Sequence, residues 1–451
     1  VMVERAKTIP NLSVTTKDIG DSWLKTDGNG GHDIVAIVIT GEGVAAAGRS
    51  TQKSIFFSMT GIHAREYAPP ELVSRWAEEE LIGKYGIDAD ITAMLDHTEI
   101  HLVLQSNPDG REIAETQKWQ LRRKNANPED RFLPCLWPGT RGVDLNRNFP
   151  FKWGESGGSS ANKCSQQYRG EAPASEPEVQ AIVNYCESIF PEGQRKADPE
   201  GQKDEPFRED AMGVFFDIHA FGEIIIWPWT HRNEETPNDS GLEALANKYK
   251  YFNEYDYAGP QQPDFLYAAA GVSDDWAYGV LGAAGMTFEI GKNFYERCDY
   301  FEDSILERNK RALTYAAKIS KAPYSLPKGP DVTEASVIAE GNSLKISATA
   351  SDSALSVDDH PTSLQGVSEI RAFVGIHPYD LLENGNSPTG VVIGTSETGT
   401  DVSGLAHGDQ VVYFVATDNE GYQGPVTVVT FSSSSSSSVQ GVRDDEEVEC
   451  A

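Results

Sequence analysis

The chain is short of positive charge. Its 451 residues carry 38 Lys and Arg against 69 Asp and Glu, a formal net charge of −31. That balance argues against a nucleic acid or an anionic membrane as partner, because like charges repel. Long apolar runs are also missing: nothing approaches the roughly eighteen consecutive residues that a membrane-spanning helix requires. Five cysteines are too few for a disulfide scaffold; they allow one or two bridges and leave at least one thiol over. There is no internal repeat. The first residue is Val1 rather than Met and no signal-like segment follows, so a mature or trimmed form is expected. What remains has the apolar and aromatic content of an ordinary globular protein and is long enough for two or three domains.

Thr60 to Glu66 reads Thr-Gly-Ile-His-Ala-Arg-Glu, between the apolar run Ile55–Met59 and a proline-led helical pattern beginning at Pro69-Pro70. His63 and Glu66 thus stand three apart in a strand-to-helix turn. Zinc takes imidazole nitrogen and carboxylate oxygen, and a catalytic zinc needs three protein ligands and an open position. The third ligand has to come from elsewhere. His219 is the best candidate, because it ends the apolar strand Gly213–Ile218, whereas His32, His97 and His231 sit in polar surroundings. Glu289 lies in a strand otherwise made of Met, Thr, Phe and Ile. A carboxylate there is costly unless it is paired or functional, and a general base beside an activated water is the functional reading. Asn146, Arg147 and Arg123 supply amide and guanidinium donors in loops, and Arg suits a substrate carboxylate.

Strands alternate with helices over residues 34–320, including Ile34–Ile39, Ile100–Leu104, a helix from Pro70 to Tyr85, a serine-capped helix from Val179 to Phe190 and a closing helix from Phe301 to Ile319. This predicts an α/β fold with a mixed, largely parallel sheet flanked by helices. Ligands in such folds bind at the carboxyl ends of strands, where His63, Asn107 and His219 would converge. At Ala322 the composition changes. The expected division is a catalytic domain over 1–322, a Pro-rich linker over 323–330, a small Ig-like β-sandwich over 331–431, and a Ser-rich linker with an acidic tail over 432–451.

Several segments, in order, resemble the zinc metallocarboxypeptidases of the carboxypeptidase A/B type: Gly-Ile-His-Ala-Arg-Glu at 61–66, Asn-Pro-Asp-Gly at 107–110, Gly-Val-Asp-Leu-Asn-Arg-Asn-Phe at 142–149, Tyr-Arg-Gly at 168–170, Ser-Glu-Pro-Glu at 175–178, Asp-Ile-His at 217–219 and Thr-Phe-Glu at 287–289. The resemblance implies one zinc held by His63, Glu66 and His219. It implies that Arg123 stabilises the oxyanion, that Asn146, Arg147 and Tyr267 hold the C-terminal carboxylate, that Glu289 is the general base, and that Arg65 is an auxiliary substrate contact. The family often has Trp before the oxyanion Arg. Here the run is Arg122-Arg123-Lys124-Asn125, so Arg122 is the alternative register. The resemblance also implies a Cys135–Cys164 disulfide; no pairing is assigned to Cys186, Cys298 or Cys450. Asp274 matches a position that tends to be acidic in members specific for basic residues.

The expectation is therefore a secreted zinc carboxypeptidase acting on the C-termini of peptides or proteins, preferring Lys or Arg, with no membrane span, no nucleic-acid partner and an unidentified partner for the β-sandwich. Two alternatives stand beside it: an endopeptidase of the same fold that cuts cell-wall peptides, and a catalytically inert adhesion protein.

Overall fold

The computed structural model describes residues 1–46, 52–116, 121–128, 135–155, 157–194, 206–208, 210–260, 267–340, 343–353, 366–380, 388–394, 400–403, 410–431 and 437–440. The first part of the chain contributes β1 (Leu12–Asp21), β2 (Asp33–Gly41), β3 (Ser54–Thr60), β4 (Thr98–Val103), β5 (Val214–His219), β6 (Ile224–Trp227), β7 (Tyr257–Pro260) and β8 (Ala284–Glu289). They form one eight-stranded sheet in the order β1-β2-β4-β3-β5-β8-β6-β7. The central strands β4, β3, β5 and β8 are mutually parallel, whereas β2 meets β4, and β6 meets β8, antiparallel. Every residue of β3 and β5 is buried. Such largely apolar, fully buried stretches are what a strand covered on both faces requires.

The helices Ala68–Arg75, Pro177–Ile189, Asp239–Asn253 and Glu307–Ile319 supply much of that cover. The first runs on into a π-helical stretch, Trp76–Ile82, whose Trp76 ring packs 5.4 Å from Phe56 of β3. The expected serine cap at Ser175 is not formed. Glu176 is the N-cap without a side-chain capping bond, and Ser175 Oγ instead donates to Glu176 Oε1 at 2.8 Å. β1 is a second departure, since residues 1–34 read as polar loop. Thr15–Asp18 are exposed and only Leu12 and Val14 of the strand are buried. Its charges suit a sheet edge, where they discourage further pairing.

A second unit follows. β9 (Asp331–Glu340), β10 (Ser343–Ser351), β11 (Val367–Val374), β12 (Val391–Gly394), β13 (Thr400–Ser403), β14 (Gln410–Asp418), β15 (Thr427–Phe431) and β16 (Ser437–Gln440) form two four-stranded antiparallel sheets, β13-β10-β9-β16 and β12-β11-β14-β15. Their facing side chains, among them Val337, Ile346, Ile370, Phe414 and Val429, bury a separate core. The serine run is thus not all linker. Ser437 and Ser438 pair with Val337 and Ser336 of β9, while residues 432–436 and the acidic tail lie outside the described residues. The proline-rich stretch is packed: Tyr324 and Leu326 are buried, and Lys248 Nζ donates to the Gly329 carbonyl at 3.3 Å.

β14 alternates as a strand must. Val412, Phe414 and Ala416 face the sandwich core, whereas Tyr413 and Val415, with Val426 and Val428, pack against Ala93 of the helix Ala89–His97. At that joint His97 Nε2 lies 2.8 Å from Asp380 Oδ1, and Asp90 accepts from the Val428 amide at 2.7 Å. His97 immediately precedes β4, and Ser54, the first residue of β3, bonds to Thr98. The sandwich therefore docks at the amino ends of the parallel strands.

Candidate active site

The carboxyl ends of β3, β5 and β8 carry the chemistry. β3 leads through Gly61 to His63. Gly61 has φ +67°, and a Cβ there would meet Gln105 Oε1 at 2.2 Å, so this tight exit requires glycine. His219 ends β5, and in register beside it Glu289 ends β8.

His63, Glu66 and His219 converge. His63 Nδ1 lies 2.8 Å from Glu66 Oε1, His219 Nδ1 lies 3.1 Å from Glu66 Oε2, and the two Nδ1 atoms are 3.0 Å apart. All three residues are buried. Two imidazoles and a carboxylate pointing at one volume form a donor set that suits zinc, and they can hold a metal ion as they stand. Burial opposes ionisation of Glu66, yet the two histidines hold its carboxyl well below the usual range. Burial likewise opposes protonation of His219, but Asp217 and Glu66 push it well above an ordinary histidine. The cluster is electrostatically arranged around positive charge.

Arg123 reaches this centre and Arg122 does not. Arg123 Nη1 lies 3.4 Å from His63 Nδ1, and its Nε donates to Asp144 Oδ2 at 3.0 Å. Arg122 instead donates to the backbone carbonyls of Lys124 and Asn125. Asp144 also accepts from His63 Nε2 at 3.2 Å. Despite complete burial, Arg123 and His63 hold its carboxyl far below the usual range. Asn146 and Arg147 follow on the 3-10 turn Leu145–Arg147. Asn146 Oδ1 accepts from the Ser273 amide at 2.9 Å. Arg147 Nη2 donates to the Tyr267 hydroxyl at 3.1 Å, and its Nε donates to the Gly158 carbonyl at 2.7 Å. The Tyr267 ring is 49% exposed, so it stands at the mouth.

Glu289 is only partly buried and has no ion-pair partner among the described residues. Its carboxyl is pushed up to about 8, by desolvation first; His219 and Arg123 pull the other way, and Glu66 and Asp217 add to the rise. Arg65 stacks on Phe294 at 4.1 Å, and burial followed by the nearby Arg123 lowers its pKa. Asp274 is 1% exposed. Its Oδ1 accepts from the Asp275 amide at 2.9 Å, and its Oδ2 has no hydrogen-bond partner. Desolvation, then Asp275 and Asp217, raise it to about 8. No cation pairs with it among the described residues.

The zinc carboxypeptidase family model matches residues 1–305. The chain belongs to the zinc carboxypeptidase family. Among curated members, carboxypeptidase A1 of Rattus norvegicus is 29% identical over 252 residues, covering 53% of this chain and 51% of that protein. Carboxypeptidase A5 of Homo sapiens is 31% identical over 236 residues, covering 51% and 47%. The chain thus spans about half the length of the curated relatives it matches. Among solved structures, thrombin activatable fibrinolysis inhibitor superposes with TM-score 0.56 at 21% identity, over 71% of this chain and 72% of that one. Carboxypeptidase A of Helicoverpa armigera gives 0.52 at 24%, over 70% and 72%. These two likenesses establish a shared fold. The disulfide implied by the family resemblance is present: Cys135 and Cys164 are bonded with their Cα atoms 5.5 Å apart. Cys186 is free and buried, and Cys298 is free and exposed.

The motif residues bring companions that the sequence reading did not single out. Asp144 stands behind His63, and Asp217 behind His219, whose Nε2 it meets at 2.9 Å. The only advance signal was their place inside the matched segments at 142–149 and 217–219. Another is Asn125, two residues after Arg123. Its Nδ2 donates to Glu176 Oε2 at 2.8 Å and to Glu178 Oε2 at 3.2 Å, and its Oδ1 accepts from the Val143 amide at 2.8 Å. That knot fixes the segments bearing Arg123 and Asp144. His231, assigned to a polar loop, is instead buried against Asp275, with Nδ1 and Oδ2 2.7 Å apart.

Proposed function

We propose that this protein is a secreted zinc metallocarboxypeptidase that removes the C-terminal residue of peptides and proteins, with a preference for Lys or Arg. The observation that carries the reading is the convergence of His63, Glu66 and His219 next to Arg123 and Glu289. The two histidines and Glu66 would hold one zinc ion. When bound there, zinc supplies a Lewis acid that acidifies water and polarises a carbonyl.

The protein's own groups then have distinct tasks. Glu289, in register beside His219 at the end of β8, accepts the proton of the attacking water and delivers it to the leaving amine. Arg123, fixed by Asp144, donates to the oxygen on which negative charge develops. Arg147 is buried and oriented by the Gly158 carbonyl and Tyr267. It retains N–H donors for a substrate carboxylate, a clamp most useful when the substrate ends there. This favours an exopeptidase over the endopeptidase alternative, and the complete set of polar groups argues against an inert adhesion protein. Asp274, buried with an unbonded oxygen, would be satisfied by a cationic terminal side chain. Arg65 lines the rim on Phe294 as an auxiliary contact. The Cys135–Cys164 disulfide supports secretion, since such bridges persist in oxidising compartments.

The test is hydrolysis of blocked dipeptides that differ only in the C-terminal residue, with and without a chelator. Chelator-sensitive release of C-terminal Arg and Lys faster than Phe is expected. Cleavage only of internal bonds would favour the endopeptidase, and no cleavage of any kind with zinc bound would favour the binding protein. We also assign the catalytic unit to residues 1–322, so that this fragment should retain zinc and activity without the sandwich. A folded, zinc-loaded fragment lacking activity would refute that division.

A further inference from the structure

Asp217 lies two residues before His219 in β5, and strand alternation puts both side chains on one face of the sheet. It is completely buried. Its Oδ2 accepts two hydrogen bonds, from His219 Nε2 at 2.9 Å and from Ser273 Oγ at 2.6 Å. A carboxylate only accepts, so Asp217 keeps a hydrogen on His219 Nε2 and leaves Nδ1 as the nitrogen that can offer its lone pair to a metal. Nδ1 is the nitrogen that faces Glu66 and His63. Ser273 is itself fixed, since its amide donates to Asn146 Oδ1 at 2.9 Å. One hydrogen-bond chain therefore runs from Asn146 through Ser273 and Asp217 to His219.

We infer that Asp217 is the positioning residue of His219, and that Ser273 orients Asp217 for that task. The inference rests on reading His219 as a zinc ligand. An imidazole at a strand end can present either nitrogen. A fixed acceptor behind Nε2 selects one tautomer and one ring orientation, and it raises the basicity of the ligating nitrogen. His63 has the same arrangement with Asp144, but Asp144 also holds Arg123, so its loss would disturb two functions at once. Among the described residues the hydrogen-bond partners of Asp217 are His219 and Ser273, and its loss should be read at the metal. Ser273 precedes Asp274, so the segment that would read the substrate's terminal side chain also sets the metal ligand.

The experiment measures zinc dissociation constants of the full chain by competition with a chromophoric chelator. The variants are His219→Ala, Asp217→Asn, Asp217→Ala and Ser273→Ala, each with its metal-free Tm and the visible spectrum of its cobalt form. His219→Ala should lose tight zinc. Asp217→Asn should bind zinc roughly 10–100-fold more weakly, with an altered cobalt spectrum. Ser273→Ala should move in the same direction by less. If Asp217→Ala does not fold, Asp217→Asn and Ser273→Ala decide. Unchanged zinc affinity and cobalt spectrum in those two, with His219→Ala impaired, would overturn the role of Asp217 and leave the zinc assignment standing. Tight zinc in His219→Ala would overturn the assignment itself.

Discussion

Two buried acidic clusters lie within the same α/β unit and behave in opposite ways. In one, Glu66 and Asp144 are held well below the usual carboxylate range. In the other, at the start of the helix Pro177–Ile189, burial raises Glu176, and burial with the neighbouring Glu176 raises Glu178 to about 8. Desolvation pushes all four upward, so burial does not separate them. Their partners do. The first pair faces His63, His219 and Arg123, whereas the second faces the amides of Asn125, Asn127 and Trp23. In the first pair the imidazole and guanidinium partners outweigh the cost of burial; in the second the amide donors also favour the charged form, but burial outweighs them and the carboxyls stay raised.

The sharpest way to break the contrast is to remove a cationic partner. His219→Ala should abolish tight zinc binding and take hydrolysis down by orders of magnitude, which metal analysis and dipeptide assays would measure together. A tightly held zinc in that variant would remove His219 from the site. Next in size is Glu289→Gln. It should keep zinc but lower kcat by roughly 10²–10⁴-fold, and near-normal turnover would show that another group moves the proton.

Asp274 shares the raised carboxyl of the second cluster but is assigned to substrate. Asp274→Ile should weaken the transition-state binding of a C-terminal Arg dipeptide by on the order of 2–5 kcal/mol, as expected for truncating a buried charge pair, while improving the Phe substrate. An unchanged Arg/Phe ratio in kcat/KM would make Asp274 purely structural.

The smallest effect belongs to Glu178. Its folded value near 8 exceeds its unfolded value, so it binds its proton more tightly when folded. The stability it contributes is fully present below the unfolded value and is lost as pH rises through about 8. Glu178→Gln carries a neutral amide throughout, so its Tm should fall less than that of the unsubstituted chain between about pH 5 and 8. Parallel Tm profiles would show that Glu178 is already ionised at neutral pH.

The first cluster was far more legible in sequence than the second. His63-x-x-Glu66 and the strand-end His219 announce themselves because imidazole and carboxylate at those places have few structural uses. Glu289 stands out because its neighbours are apolar. Glu176 and Glu178 look like ordinary acids in the first turn of a helix, which surface helices favour. Only the fold reveals that Asn125 and Trp23 close over them. The same holds for His97, whose polar neighbours in sequence gave no sign of Asp380, 283 positions away. Long stretches of β3 and β5 were readable because burial on both faces leaves mostly apolar residues, as in Ile55–Phe57 and Val214–Phe216. β1 was not, since an edge strand carries the polar residues of a loop.

The joint between the two units also fixes the direction in which the protein faces. Helix Ala89–His97 grips β14 and β15 at the amino ends of the parallel strands, while His63 and Glu289 stand at their carboxyl ends. β3 alone separates the two poles by about 20 Å, at some 3.3 Å per residue. Immobilisation through the sandwich would consequently hold the protein by the pole opposite the site and leave the mouth toward free chain ends in solution. Attachment through the Tyr267 side would turn that mouth against the support.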